Sequence, residues 1–167
     1  FEHCKPRDPY QYEQIDYYLI HYILDGEGLF FMDGKTYHLK KGDGFFIPPF
    51  TDNNYYPIAE NPWVYRWIGI NGTRAKEILN ICGFKDENYL FNYSKDKKID
   101  DYFKIIYESC TSNNLFEGLG YLYQFLSTLM KENATTYEVN SSISKIYIEK
   151  SIAFIKENYK ENISVSD

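Results

Sequence analysis

Histidine, cysteine and net positive charge are all scarce in this sequence, and each scarcity removes a class of function. The 167 residues contain three histidines. These are His3, His21 and His38, and with no HxH pair they offer poor material for a histidine-based metal centre. The three cysteines, Cys4, Cys82 and Cys110, are odd in number and lack CxxC spacing or a neighbouring histidine cluster. Neither disulfides nor a zinc site are expected, and all three read as reduced thiols. A formal charge of −6 and a pI near 5.1 leave no basic face with which to neutralise phosphates, so this part is not expected to grip nucleic acid by itself. No run approaches the ~20 apolar residues of a membrane span. The segment from Phe1 to Arg7 has no apolar stretch of the signal-peptide kind. These absences lead to the expectation of a soluble, cytoplasmic chain with no membrane partner and no cofactor.

What is abundant is aromatic: 18 Tyr and 12 Phe bring aromatic residues to 19% of the chain. Many of these fill strands and helix faces, but tyrosine-rich interiors can also form a hydrogen-bonding pocket. The length suits one substantial core with a smaller helical annex.

Residues 17–70 read as strands. Tyr17 to Leu24 is rich in β-branched and aromatic residues and stops at Asp25-Gly26-Glu27-Gly28. Leu29 to Met32 and Lys35 to Leu39 flank Asp33-Gly34, a strong hairpin signal. Phe45-Phe46-Ile47 then ends at Pro48-Pro49. Beyond Asn61-Pro62, Trp63 to Ile70 forms a further strand with Trp63, Tyr65 and Trp67 on one face. Short strands at this spacing predict a sandwich or barrel.

From Gly72 onward the period becomes helical. Thr73 to Cys82 predicts a short helix ended by Gly83, and Ile99, Tyr102, Phe103, Ile106 and Cys110 mark a second. Asn114 and Glu117 open a third, along which Leu115, Leu119, Leu122, Leu126 and Leu129 repeat at 4,3,4,3 spacing. That seam either packs against the preceding helix or the sheet, or pairs with a second copy of the chain. Lys131 to Ser142 reads as a linker. Ile148, Ile152, Ile155 and Tyr159 mark a fourth helix, and Ser164 to Asp167 has the cap spacing of a helix continuing past Asp167.

Three blocks, Tyr18 to Gly28, Lys41 to Pro49 and Trp63 to Gly69, resemble in sequence and order the cupin-type N-terminal domain of AraC-family transcription regulators. Ile152 to Ser164 resembles the start of that family's helix-turn-helix domain. The resemblance implies an α+β fold, a cupin-like antiparallel β-barrel or double-stranded β-helix followed by C-terminal helices. It implies an arm at residues 1–16, an effector-binding barrel at 17–71 and a helical dimerisation region at 72–132. A linker at 133–142 and the first helix of an incomplete DNA-binding domain at 143–167 would follow. In such proteins the barrel takes a small effector, commonly a sugar, the helices form a homodimer, and DNA is read by the C-terminal domain.

Set against the cupin metal pattern, Leu19 stands in the glutamate position and Asn53 in that of the last histidine. A catalytic residue is therefore not expected. Strand parity turns His21 inward with position 19, where it is a satisfied core histidine, an effector contact or a catalytic base. Tyr55 shares a face with Asn53. The resemblance places Tyr65 and Trp67 at sugar-contacting positions, with Trp67 as a stacking platform; the alternative is a packed aromatic core. Arg7, in the arm, is either an effector clamp or a solvated side chain. Two rival readings remain: a dimerisation module whose barrel binds nothing, and a small cupin enzyme.

Overall fold

The computed structural model describes residues 2–3, 14–85, 87–133, 151, 152 and 154, with backbone only at 2–3. The chain divides into two compact units, Phe1–Thr135 and Thr136–Asp167. In the second unit the described residues Ser151, Ile152 and Phe154 are helical and exposed. Of the expected linker, Lys131 to Asn133 are helical and continue the preceding helix, while its remaining residues and the remainder of the expected fourth helix lie outside the described residues.

The first unit is two antiparallel sheets with helices on one side. In chain order the strands are β1 (Glu2–His3), β2 (Tyr18–Asp25), β3 (Glu27–Met32), β4 (Lys35–Lys40), β5 (Asp43–Ile47), β6 (Asn53–Pro57) and β7 (Val64–Ile70). Helix α1 (Ala75–Ile81), strand β8 (Leu90–Asn92) and helices α2 (Lys98–Thr111) and α3 (Leu115–Asn133) complete it. One sheet runs β1-β7-β2-β5-β8 and the other β4-β3-β6. The antiparallel sheets followed by helices are as expected, but among the described residues the sheets meet face to face and are not closed into one hydrogen-bonded barrel. In particular β6 and β7 do not pair.

β2 explains the layering. Five consecutive residues, Leu19 to Ile23, are buried, which is why its sequence is a continuous apolar run and not an alternating one. Leu19 and Ile23 enter the core between the sheets, whereas Ile20 and Tyr22 enter a second core beneath the helices. β3 alternates properly, with Gly28, Phe30 and Met32 inward. The Asp33-Gly34 turn joins it to β4 with both residues at positive φ, 50° and 71°, the geometry of a tight hairpin. Gly28 is required for a steric reason: a Cβ there would lie 2.4 Å from the Trp63 ring.

Two strands were not anticipated. β8 lies within the region expected to be helical throughout, pairs with β5 and sets Phe91 across Gly44. Three residues between helical segments give too short a pattern for period 2 to register. β1 pairs with the edge of β7, Glu2 opposite Tyr65.

Ala75 begins α1 two residues later than expected, and α2 begins where Asp96 Oδ1 accepts from the Lys98 amide at 2.8 Å. The buried face of α2 is Ile99, Phe103, Ile106 and Ser109, while Cys110 is exposed. On α3 the buried residues are Gly118, Phe125, Leu126 and Leu129. Gly118 stands over Ser109, so the two helices approach closely, and Phe125 meets Phe103 edge to face at 5.1 Å. The leucine seam therefore splits. Leu126 and Leu129 belong to this chain's own core, Leu122 is half-buried, and Leu115 and Leu119 are exposed at 62% and 50%. The face that packs inward takes Leu122, Leu126 and Leu129 from the seam and adds Gly118 and Phe125, which stand one position before Leu119 and Leu126.

Candidate functional site

The core between the sheets contains one buried histidine, and the side chains around it are aromatic. Register places His21 of β2 opposite Phe45 of β5 on one side and opposite Trp67 of β7 on the other. Directly opposed residues share a face, so all three project toward the second sheet. The His21 ring stacks on Phe45 at 4.3 Å and 6°. Tyr55 of β6 meets it at 4.8 Å and Tyr65 of β7 at 5.0 Å, both edge-on. Trp63 closes the far end, 5.8 Å from Phe45 and 5.9 Å from Tyr65. His21, Trp63 and Tyr65 are at most 1% exposed.

Burial holds His21 neutral: desolvation pushes its pKa from 6.5 down to about 3. A neutral ring carries one N–H donor and one acceptor nitrogen. Its Nδ1 is cut off from solvent without a hydrogen-bond partner among the described residues, as are Trp63 Nε1 and the side-chain oxygens of Asn53 and Asn54. Leaving a buried donor or acceptor unmatched costs about 1–3 kcal/mol. The apolar box thus contains unmet polar demand. It is also a poor setting for base catalysis, because a general base works best with a pKa near the operating pH, and His21 lies far below it.

The sequence-derived residues are distributed as follows. His21, Tyr55 and Tyr65 converge in the box. Asn53 begins β6 on the same face as Tyr55, half-buried, its Nδ2 donating to the Thr51 carbonyl at 3.1 Å. Trp67 is next to the box but 48% exposed, on the side where β6 and β7 do not pair. Arg7 lies outside the described residues. Phe45 and Trp63 were missing from the expected set, although strand parity had already put Trp63 on the face of Tyr65 and Trp67. Phe45 was hidden because the run Phe45-Phe46-Ile47 is buried on both faces and gives no inward–outward signal.

Among the described residues no group of three His, Cys, Asp or Glu could hold a metal ion, and His38 is engaged with Glu27 at 2.6 Å. No described helix is long and apolar enough to cross a membrane.

Comparison with known proteins agrees with this architecture. The family model described as the AraC-like ligand binding domain matches residues 1–121. The lactose operon transcription activator of Staphylococcus xylosus is 31% identical over 166 residues, covering 97% of this chain and 60% of that protein. The raffinose operon transcriptional regulatory protein of Pediococcus pentosaceus is 27% identical, covering 99% of this chain and 62% of that one. The chain thus spans about three-fifths of the length of these relatives. Among solved structures, the AraC-like transcriptional activator CuxR superposes with a TM-score of 0.53 over 93% of this chain and 59% of that one, at 9% identity, a likeness of fold.

Proposed function

This chain belongs to the AraC-like ligand-binding domain family, and from that premise we propose that it is the sugar-sensing and dimerisation part of a transcription regulator of carbohydrate genes. The observation that carries the proposal is the pair of buried nitrogens without a partner among the described residues, His21 Nδ1 and Trp63 Nε1, in an otherwise aromatic box. A sugar answers both features, since its C–H face stacks on aromatic rings and its hydroxyls both donate and accept. Trp67, half-exposed beside His21, is the stacking platform at the entrance, and Asn53 supplies a carbonyl oxygen at the rim. Arg7 is assigned to the arm as an effector contact on the family resemblance alone. The sugar operons named for the relatives support the same class of effector.

The proposed division keeps residues 1–16 as arm, 17–71 as effector-binding sheets, 72–132 as the dimerisation region, 133–142 as linker and 143–167 as the start of the DNA-reading domain. The dimer surface is the exposed half of α3, where Leu115, Phe116, Leu119 and Tyr123 are each at least half exposed. Bound effector would favour one arrangement of these parts by its differential affinity, a coupling of about 1–3 kcal/mol.

Titration calorimetry of the chain against a sugar panel tests the proposal. At least one sugar is expected to bind, and Trp67→Ala is expected to weaken it tenfold or more while stability changes by under about 1 kcal/mol, as suits a half-exposed side chain. No heat with any sugar, or binding indifferent to Trp67, refutes it.

A further inference from the structure

We infer that Arg66 is a positioning residue for the effector site: by pairing with Asp100 it fixes the angle at which β7 presents Tyr65 and Trp67, and it ties that angle to α2. The inference rests on the sugar reading above. Alternation along β7 puts Tyr65 and Trp67 on the side of the box and Arg66, between them, on the opposite face of the sheet. Arg66 stands directly across from Tyr22 of β2, and Tyr22 with Ile68 belongs to the core beneath the helices. There the Arg66 guanidinium donates through Nε to Asp100 Oδ1, in the first turn of α2. Burial first, and then the charges of Asp100 and Asp96, push the Tyr22 hydroxyl pKa up, so the same carboxylate is close to the ring that faces Arg66.

The pair is suited to fixing an angle. Its side chains are 20% and 33% exposed, so solvent and salt screen it less than a surface pair. A guanidinium is a planar fork that constrains direction as well as distance, whereas the apolar neighbours on the same face, Ile68 and Ile70, pack without directional preference. Trp67 needs such a restraint: it is 48% exposed, so the backbone that carries the ring largely decides where it points. Successive side chains of a strand leave it on opposite faces. A twist of β7 that swings Trp67 away from the box therefore swings Arg66 against Asp100, and holding one holds the other. The link also runs from the site to the helix. A sugar that immobilises Trp67 steadies Arg66 and with it the start of α2, which packs on α3 at Ser109 and Gly118. Linkage makes the effect reciprocal, so loosening the pair weakens the hold on the sugar.

The experiment compares Arg66→Met, Asp100→Asn and their double variant with the parent, in calorimetry against lactose, sucrose, maltose and raffinose. Arg66→Lys serves as the conservative variant, and Asp101→Asn, an exposed carboxylate in the same turn, as the control. For whichever sugar the parent binds, each single variant is expected to lose about threefold to tenfold in affinity and the double variant no more than the worse single, as members of one pair behave. Arg66→Lys should recover part of the loss, and Asp101→Asn should stay within twofold of the parent. Fluorine NMR of chains carrying 5-fluorotryptophan reads the position of Trp67 without any ligand: its resonance should shift in Arg66→Met and Asp100→Asn while that of Trp63 stays in place. Hydrogen exchange of α2 amides should slow on adding the sugar to the parent and not to Arg66→Met. Affinity untouched by both single variants, additive losses in the double variant, α2 exchange that slows alike in both chains, or an unmoved Trp67 resonance overturns this inference and spares the sugar-sensing proposal. Failure of every sugar to bind overturns that proposal, and the Trp67 resonance still decides whether Arg66 sets the ring.

Discussion

The His21 environment makes stability depend on pH in a direction that can be calculated. The folded pKa is about 3 and the unfolded value is 6.5. Below pH 6.5 the unfolded chain takes up a proton that the folded chain refuses, so stability is complete above 6.5 and falls as pH decreases toward 3. Each pH unit within that window costs about 1.4 kcal/mol. Between pH 7 and pH 5 the loss due to His21 is therefore about 2 kcal/mol. His21→Phe keeps a flat ring against Phe45 and removes both the titration and the unmatched Nδ1, so at pH 7 the variant should be no less stable than the parent. Urea unfolding followed by tryptophan fluorescence reports on the first unit, because Trp63 and Trp67 both lie in it. With a slope of about 2 kcal/mol per molar urea, the parent midpoint should fall by about 1 M more than that of His21→Phe over this pH interval. Equal shifts in the two proteins would refute the claim that His21 is held neutral by burial.

Further outcomes follow from the helices and the aromatic box. Leu119→Lys, on the exposed half of α3, should leave a folded chain that elutes as a monomer where the parent elutes as a dimer; an unchanged elution volume would place the dimer contact elsewhere. Leu126→Lys should instead destabilise the fold by about 3 kcal/mol or more, since it forces a charge into a site 5% exposed, and thermal melting separates the two effects. Gly28→Ala drives a methyl to 2.4 Å from the Trp63 ring. It should cost about 1–3 kcal/mol and change the Trp63 emission, and an unperturbed spectrum would mean that the contact is looser than described.

Features governed by local chemistry were legible from the residues alone. Asp33-Gly34 specifies its own turn through positive φ, and alternation sets Tyr55 with Asn53 and Tyr65 with Trp63 and Trp67 on shared faces, which the family resemblance turns inward. Features governed by long-range packing were not. The leucines of α3 form a regular stripe, yet only Leu126 and Leu129 of it are buried, together with Gly118 and Phe125, because the closeness of α2 at Ser109 selects a small residue that no hydrophobicity pattern marks. The seam is half core and half surface for the same reason. Phe45 and Phe46 serve opposite cores from adjacent positions, so their apolar run does not reveal which ring lies beside His21.

β2 separates two interiors with a single layer of backbone. Leu19, His21 and Ile23 look into one, and Ile20 and Tyr22 into the other, where the Tyr22 hydroxyl donates to the Tyr93 carbonyl at 2.8 Å. Neighbouring residues share rigid peptide planes, and close-packed interiors resist compression. If a guest displaced the imidazole and the strand tilted with it, Tyr22 would press on Phe103, stacked 6.5 Å away, and through it on the helix that bears Phe125. In mechanical terms this strand is a diaphragm, through which a molecule admitted on one side would be felt on the other without any continuous channel between them.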